Sequence, residues 1–190
     1  MKWLNRAPAG YRPGALLAKL RQDLARLEYE PVDDARARFR CTDLGLDFLA
    51  EERVHAQFLM HVVTTSFSYQ LPCEGGEPAR IRLRHRGAWT RQGLECLVAD
   101  GAEDVSIQEA ARRLASDARL LAAMRPLDFT DFELERQATG WVAKLVHYGA
   151  SEVVYRFPST RQYVRLVPEQ LQALLQTFAR LSDVLRQGLA

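Results

Sequence analysis

The sequence predicts an α+β protein in which helices pack on one face of an antiparallel β-sheet. Three stretches place apolar residues at the 3.6-residue period of an amphipathic helix. The stretches between them alternate polar and apolar residues with the two-residue period of a strand. The order is therefore helix, strand meander, helix, strand meander, helix. We expect a chain of 190 residues with this organisation to fold as a single domain, residues 1–190.

Each predicted helix has a start signal and an apolar stripe. The first helix, residues 14–28, carries five leucines at helical spacing and ends before the next proline, which cannot continue it. The second begins near Ser106 and Glu109, which have capping-box spacing, and ends at Pro126. The third begins at Pro168, a residue that suits the first helical position, and has the clearest stripe of the three.

The predicted strands form two groups. Those of the first group lie at residues 36–41, 44–50, 58–71, 80–86 and 94–99. Those of the second lie at residues 131–135, 141–148, 152–157 and 161–167. Gly149-Ala150 is expected to be the turn of a hairpin that joins two strands of the second group.

The two strand groups suggest an internal duplication, with units at residues 44–125 and 128–187 after the first helix. Asp47-Phe48 parallels Asp131-Phe132, and the strand that ends at Pro72 parallels the strand that ends at Pro158. Each unit then closes with an apolar-striped helix. Two explanations remain open, because a true duplication and a shared strand periodicity both produce such a pattern.

The element order broadly resembles that of the type III secretion chaperones. Those proteins alternate helices with antiparallel strands and act as dimers that hold a secreted partner. The resemblance implies a binding protein, and it concerns element order alone. This chain has extra strands and lacks the acidic balance of that family, so no residue role is carried over.

Composition and cysteine content favour a cytoplasmic protein. The net charge of +2 gives no overall field that would hold the chain on nucleic acid, so we consider a nucleic-acid partner unfavourable. The three cysteines are widely spaced and are expected to be reduced thiols. The first ten residues lack the apolar run of a signal peptide, and no stretch has the roughly 18 apolar residues of a membrane span.

Two rows of arginines are the most prominent charged pattern. They comprise Arg36, Arg38 and Arg40 on one strand and Arg80, Arg82 and Arg84 on another. If the two strands lie close together, the rows form a patch for an anionic partner. Alternatively they are a solvated sheet face neutralised by the acidic row Asp131, Glu133 and Glu135.

Motifs that identify a chemistry are absent from the sequence. It contains no zinc-ligand spacing, nucleophile elbow, dinucleotide-binding fingerprint or P-loop, so we expect neither metal nor cofactor and assign no catalytic residue. The leading hypothesis is a non-enzymatic binding or adaptor protein that contacts a protein partner or a second copy through an amphipathic helix or strand edge. The alternative is a domain that binds a small apolar ligand between sheet and helices, with His61, Trp141 and Lys144 as candidate contacts. An enzyme with a spatially assembled site is the third hypothesis.

Overall fold

A computed structural model describes residues 10–56, 58–87, 93–155 and 157–186. Within these ranges the chain forms four helices and a nine-stranded antiparallel sheet, which confirms the predicted α+β class. The helices are α1 (Ala15–Asp23), α2 (Val105–Ser116), α3 (Ala118–Met124) and α4 (Pro168–Arg186). The strands are β1 (Glu28–Asp33), β2 (Arg36–Cys41), β3 (Leu46–Ala56), β4 (Met60–Leu71), β5 (Ala79–Arg86), β6 (Gly93–Asp100), β7 (Phe129–Gln137), β8 (Gly140–Tyr155) and β9 (Thr160–Val164).

The strand order in the sheet is β1-β2-β3-β4-β8-β7-β5-β6, and β9 pairs with the second half of β8. The antiparallel pair of β4 and β8 forms the centre of the sheet. Side chains alternate between the two faces of each strand. The helices cover one face, where α4 packs Phe178 against Phe48 and Tyr69. The opposite face, which we call the open face, carries most of the sheet's charged side chains.

The predicted hairpin around Gly149-Ala150 is wrong, because β8 is one continuous strand of 16 residues. Ala150 has a positive φ of 59°, and the register with β4 shifts between Val63 and Thr65. The Thr65 hydroxyl donates a hydrogen bond of 2.7 Å to the Ala150 carbonyl. The glycine and alanine therefore form a bulge within the strand, where the sequence suggests a turn.

The helices also differ from expectation in three respects. Helix α1 ends at Asp23, and the residues that follow it turn into β1, an edge strand that the sequence did not predict. The second predicted helix is divided at Asp117, whose carboxylate accepts a hydrogen bond of 2.6 Å from the Leu120 amide and caps α3. The cap of α2 is Asp104 instead of Ser106.

The duplication remains a prediction. Strands β4 and β8 pair at the centre with β3 and β7 on either side, as related halves would place them. However, the strands that follow Pro72 and Pro158 differ: β5 pairs with β7 and β6, whereas β9 pairs with β8. The third strands of the two proposed units therefore occupy different places in the sheet.

Candidate functional site

The three candidate ligand contacts do not come together in the structure. Trp141 on β8 lies opposite Leu71 of β4, whereas His61 lies ten residues earlier on β4. At ~3.3 Å per residue, the two positions are about 33 Å apart. Lys144 points to the open face, where its Nζ lies 2.5 Å from a carboxylate oxygen of Glu135. A single site made of these three residues is therefore not formed.

Trp141 lines a small cavity between α2 and α4. The cavity has a volume of about 70 Å³ and is also lined by Arg113 and Val184. Sites for small organic ligands usually measure roughly 300–1,000 Å³. His61 is completely buried at the other end of the sheet. The cavity at Trp141 is thus smaller than a typical ligand site, and His61 is withdrawn from the surface.

The two arginine rows are too far apart to form one patch. They lie on β2 and β5, and β3, β4, β8 and β7 separate these strands. Since neighbouring strands lie ~4.8 Å apart, the rows are separated by about 24 Å along the sheet. A joint anion-binding patch requires the two strands to lie close together, and they do not.

Acidic neighbours on adjacent strands pair with most of these arginines. Arg82 lies 2.6 Å from Glu133, one of the acidic residues expected to neutralise it. Arg80 pairs with Asp100 at 2.6 Å, and Arg40 pairs with Glu30 at 2.5 Å. The remaining members of the rows also face acids: Arg38 pairs with Asp47, Arg36 pairs with Asp33, and Arg84 lies opposite Glu95. The open face is thus a ladder of alternating charges.

The cysteine thiols give little support to nucleophilic chemistry. Burial raises the pKa of the Cys96 thiol to about 12, and burial also raises the pKa of Cys73. Both thiols therefore stay protonated at neutral pH, and a thiol is a poor nucleophile in that form.

In the described part of the chain, no three His, Cys, Asp or Glu side chains are grouped as metal ligands would be. The same described ranges contain no helix that is long and apolar enough to span a membrane.

The strongest candidate site is a groove that we call the α1–α4 groove. It runs between the end of α1, a 3-10 turn at Thr42–Leu44 and the start of α4, and its volume is about 710 Å³. Its lining residues are Gln22, Asp23, Ala25, Arg26, Leu27, Cys41, Asp43, Leu44, Arg165, Leu166, Val167, Pro168, Leu171, Gln172 and Leu175. It is large enough for a small organic molecule.

Apolar side chains from distant parts of the chain form the body of the groove. Leu166, Leu171 and Leu175 are buried within its wall on the α4 side. Leu44 and Val167, at its edges, are 49% and 43% exposed. The groove thus exposes apolar surface to water, and a bound apolar group would cover that surface.

Asp23 fixes the wall of the groove. Its side chain is 2% exposed and accepts hydrogen bonds from the Tyr163 hydroxyl (2.6 Å), Arg165 Nε (3.0 Å) and the Leu166 amide (3.1 Å). Burial raises the pKa of Tyr163, and the hydrogen bond to Asp23 raises it further, so the phenol remains a donor. These contacts tie the end of α1 to the segment before α4 and preform the groove.

Sequence reasoning missed the groove because its parts are scattered along the chain. Leu27 fits the stripe of the first predicted helix, and Leu171 fits the stripe of the last. The available signal was Leu44 and Val167, two apolar residues next to turns. Single residues of this kind are common on protein surfaces, so the signal was weak.

The chain belongs to a family of proteins of unknown function, DUF3156, whose model matches residues 22–185. The matched range contains the α1–α4 groove. No curated protein matches the chain, and no solved structure matches it.

Proposed function

We propose that this member of the DUF3156 family is a cytoplasmic binding protein that holds a small apolar or amphipathic molecule in the α1–α4 groove. The observation that carries the proposal is a preformed groove of about 710 Å³ with exposed apolar edges. Binding sites of small molecules are concave, mostly apolar and of this volume. Three free cysteines support the cytoplasmic location, because thiols persist where the environment is reducing.

The charges around the groove narrow the class of ligand. Arg26, Arg165 and Asp43 are exposed in its lining, so both signs are present. A strongly charged ligand would meet repulsion as well as attraction. The mixed charge of the lining therefore favours a ligand with an apolar body and at most one ionised group.

The groove favours binding over catalysis. Asp23 is the buried carboxylate of the described lining, and three donors already occupy it. A general base needs a lone pair directed at the substrate. Asp23 therefore suits a structural role, and the apolar lining supplies affinity without chemistry.

A protein partner or a second copy of the chain is the second candidate occupant. Leu44 and Val167 leave apolar surface exposed at the edges of the groove. An amphipathic helix of a partner could lie along such an edge with its apolar face inward. A partner helix would also bury area outside the groove, whereas a small molecule would be confined to it.

A probe-binding experiment tests the groove directly. We expect 8-anilinonaphthalene-1-sulfonate, excited beyond the absorption of tryptophan, to fluoresce on binding the wild-type protein. Ala25→Trp places an indole at an exposed position in the lining and should weaken probe binding at least about tenfold by excluding it. Ala115→Trp, at an exposed position on α2, is the matched control.

Equal probe affinity in the wild type and both variants would contradict the proposal. Light scattering on the same samples separates the two candidate occupants. A concentration-dependent dimer that Ala25→Trp dissociates would favour the second copy over the small molecule.

A further inference from the structure

A second apolar surface lies at one end of the sheet, away from the groove. Phe58 is 88% exposed, Phe157 is 86% exposed and Leu59 is 59% exposed. Contiguous exposed apolar patches on soluble proteins often mark surfaces that contact another molecule or a membrane. Together with Tyr155, which is 39% exposed, we call these residues the apolar tip.

The sheet places the members of the tip side by side. Phe58 and Leu59 lie in the connection from β3 to β4, and Phe157 lies in the connection from β8 to β9. Met60 pairs with Tyr155 across the central strands, so both connections emerge at the same end of the sheet. The tip is therefore a convex pair of neighbouring turns. This shape suits insertion into a lipid layer better than enclosure of a ligand.

The charged residues that lie next to the tip along the chain are basic. The sequence contains no aspartate or glutamate between residues 53 and 73, or between residues 153 and 168. Arg53, His55 and Arg161 are exposed near the tip. Both arginines also have acidic partners farther along their strands from the tip: Arg53 is 3.7 Å from Glu51, and Arg161 is 3.4 Å from Glu152. Arg161 also donates to the Gly10 carbonyl at 2.5 Å.

We propose that the apolar tip inserts into the interfacial layer of a bilayer that contains anionic lipids. Aromatic side chains favour the boundary between headgroups and acyl chains. Arginines beside an inserted apolar group gain attraction to anionic headgroups. This combination of convex shape, aromatic side chains and local cations matches a lipid surface. The inference is independent of the groove, because no groove-lining residue belongs to the tip.

Vesicle sedimentation tests the proposal on the full-length protein. We expect binding to vesicles of phosphatidylcholine with phosphatidylglycerol, weaker binding to phosphatidylcholine alone, and a decrease with added salt. Leu59→Ser combined with Phe157→Ser should weaken binding at least about tenfold, since two apolar anchors are lost. Val105→Ser is the matched control, because Val105 is 81% exposed at the start of α2, outside the tip.

Three outcomes would overturn the proposal. The first is no sedimentation with the anionic vesicles, and the second is equal sedimentation of the wild type and the tip variant. The third is a dimer in light scattering that the tip variant dissociates, because the tip would then contact a second copy. Circular dichroism verifies that the substituted proteins stay folded, which exposed positions should allow.

Discussion

The two faces of the sheet use carboxylates in opposite ways, and neighbouring residues on β3 show the difference. Glu51 lies on the open face with its side chain 41% exposed, and its ion pair with Arg53 is 3.7 Å long. Glu52 lies on the helix-covered face and is 6% exposed. Water screens the ion pair of Glu51 and competes with Arg53 for its carboxylate. The Glu52 carboxylate is withdrawn from water, so protein groups must supply its hydrogen bonds.

Glu52 serves as the N-terminal cap of α1 from a distant strand. Its carboxylate accepts hydrogen bonds from the amides of Gly14 (3.1 Å), Leu16 (2.9 Å) and Leu17 (3.0 Å), and from the Tyr11 hydroxyl (2.8 Å). No local side chain caps this helix. A carboxylate at this position also interacts favourably with the helix dipole. Glu52 thus fixes a helix from the covered face, whereas Glu51 forms only an exposed ion pair on the open face.

The largest effect is expected for Glu52→Ala. The substitution leaves the buried amides of Leu16 and Leu17 without an acceptor. Each buried donor left unsatisfied typically costs about 1–3 kcal/mol, so we expect the unfolding free energy to fall by about 3–5 kcal/mol. Glu51→Ala, on the adjacent residue, should cost less than about 1 kcal/mol. Urea denaturation of the two variants measures the difference. Equal losses would contradict the distinction between the faces.

A smaller loss is expected for Asp23→Asn, which retains the shape of the side chain but removes its charge. Three donors then compete for one amide oxygen, and a hydrogen bond to a charged group contributes about 1.5–3 kcal/mol. We expect the unfolding free energy to fall by about 2 kcal/mol. Probe affinity in the α1–α4 groove should fall in the same variant. A destabilised variant with unchanged probe affinity would show that Asp23 does not shape the groove.

Asp117 should make stability depend on acid pH. Its hydrogen bonds with Arg180 lower the carboxyl pKa below its usual value of 3.8. The folded state therefore holds the ionised form more strongly than the unfolded state does. That stabilisation is complete above the unfolded pKa and is lost as the pH falls through the folded pKa.

Asp117→Asn tests this pH dependence while keeping a residue that caps helices well. Thermal melts at neutral pH should shift by about 1–3 °C, because the pair with Arg180 is only partly buried. The shift should shrink toward zero below about pH 3 as the wild-type carboxyl is protonated. A shift that stays constant over this range would exclude Asp117 as the titrating group.

The smallest effect is expected on the open face, for Arg40→Ala. The Arg40 side chain is 41% exposed, and its acidic partners Glu30 and Asp47 are about half exposed. The melting temperature should change by no more than about 2 °C, and the change should decrease with salt. A larger change that salt does not affect would show that the charge ladder stabilises the fold.

The sequence predicted features that short-range signals decide. Helix α4 begins at Pro168, where a favoured first residue and a long apolar stripe coincide. The pairing of Arg82 with Glu133 follows from two strands with matching alternation. Strand β1 was missed because it depends on its partner: Tyr29 lies opposite Phe39, and these rings pack at 5.4 Å. The bulge at Ala150 likewise depends on β4.

The α1–α4 groove could not be predicted from the sequence, because it too depends on residues that are distant along the chain. Its walls join residues near Asp23, Leu44 and Leu171, which only the tertiary fold brings together. His61, Trp141 and Lys144 were chosen for their residue types within apolar strands. The register then separates His61 from Trp141, and alternation places Lys144 on the other face. Whether any of the three contacts a ligand remains a prediction.

Native mass spectrometry of the protein purified from its own cells tests the central claim most directly. We predict a non-covalent adduct of small-molecule mass on the wild-type chain. The adduct should persist on Ala115→Trp and be lost from Ala25→Trp, which fills the α1–α4 groove. An adduct of equal abundance on both variants, or bare mass in the wild type and both variants, would contradict the account.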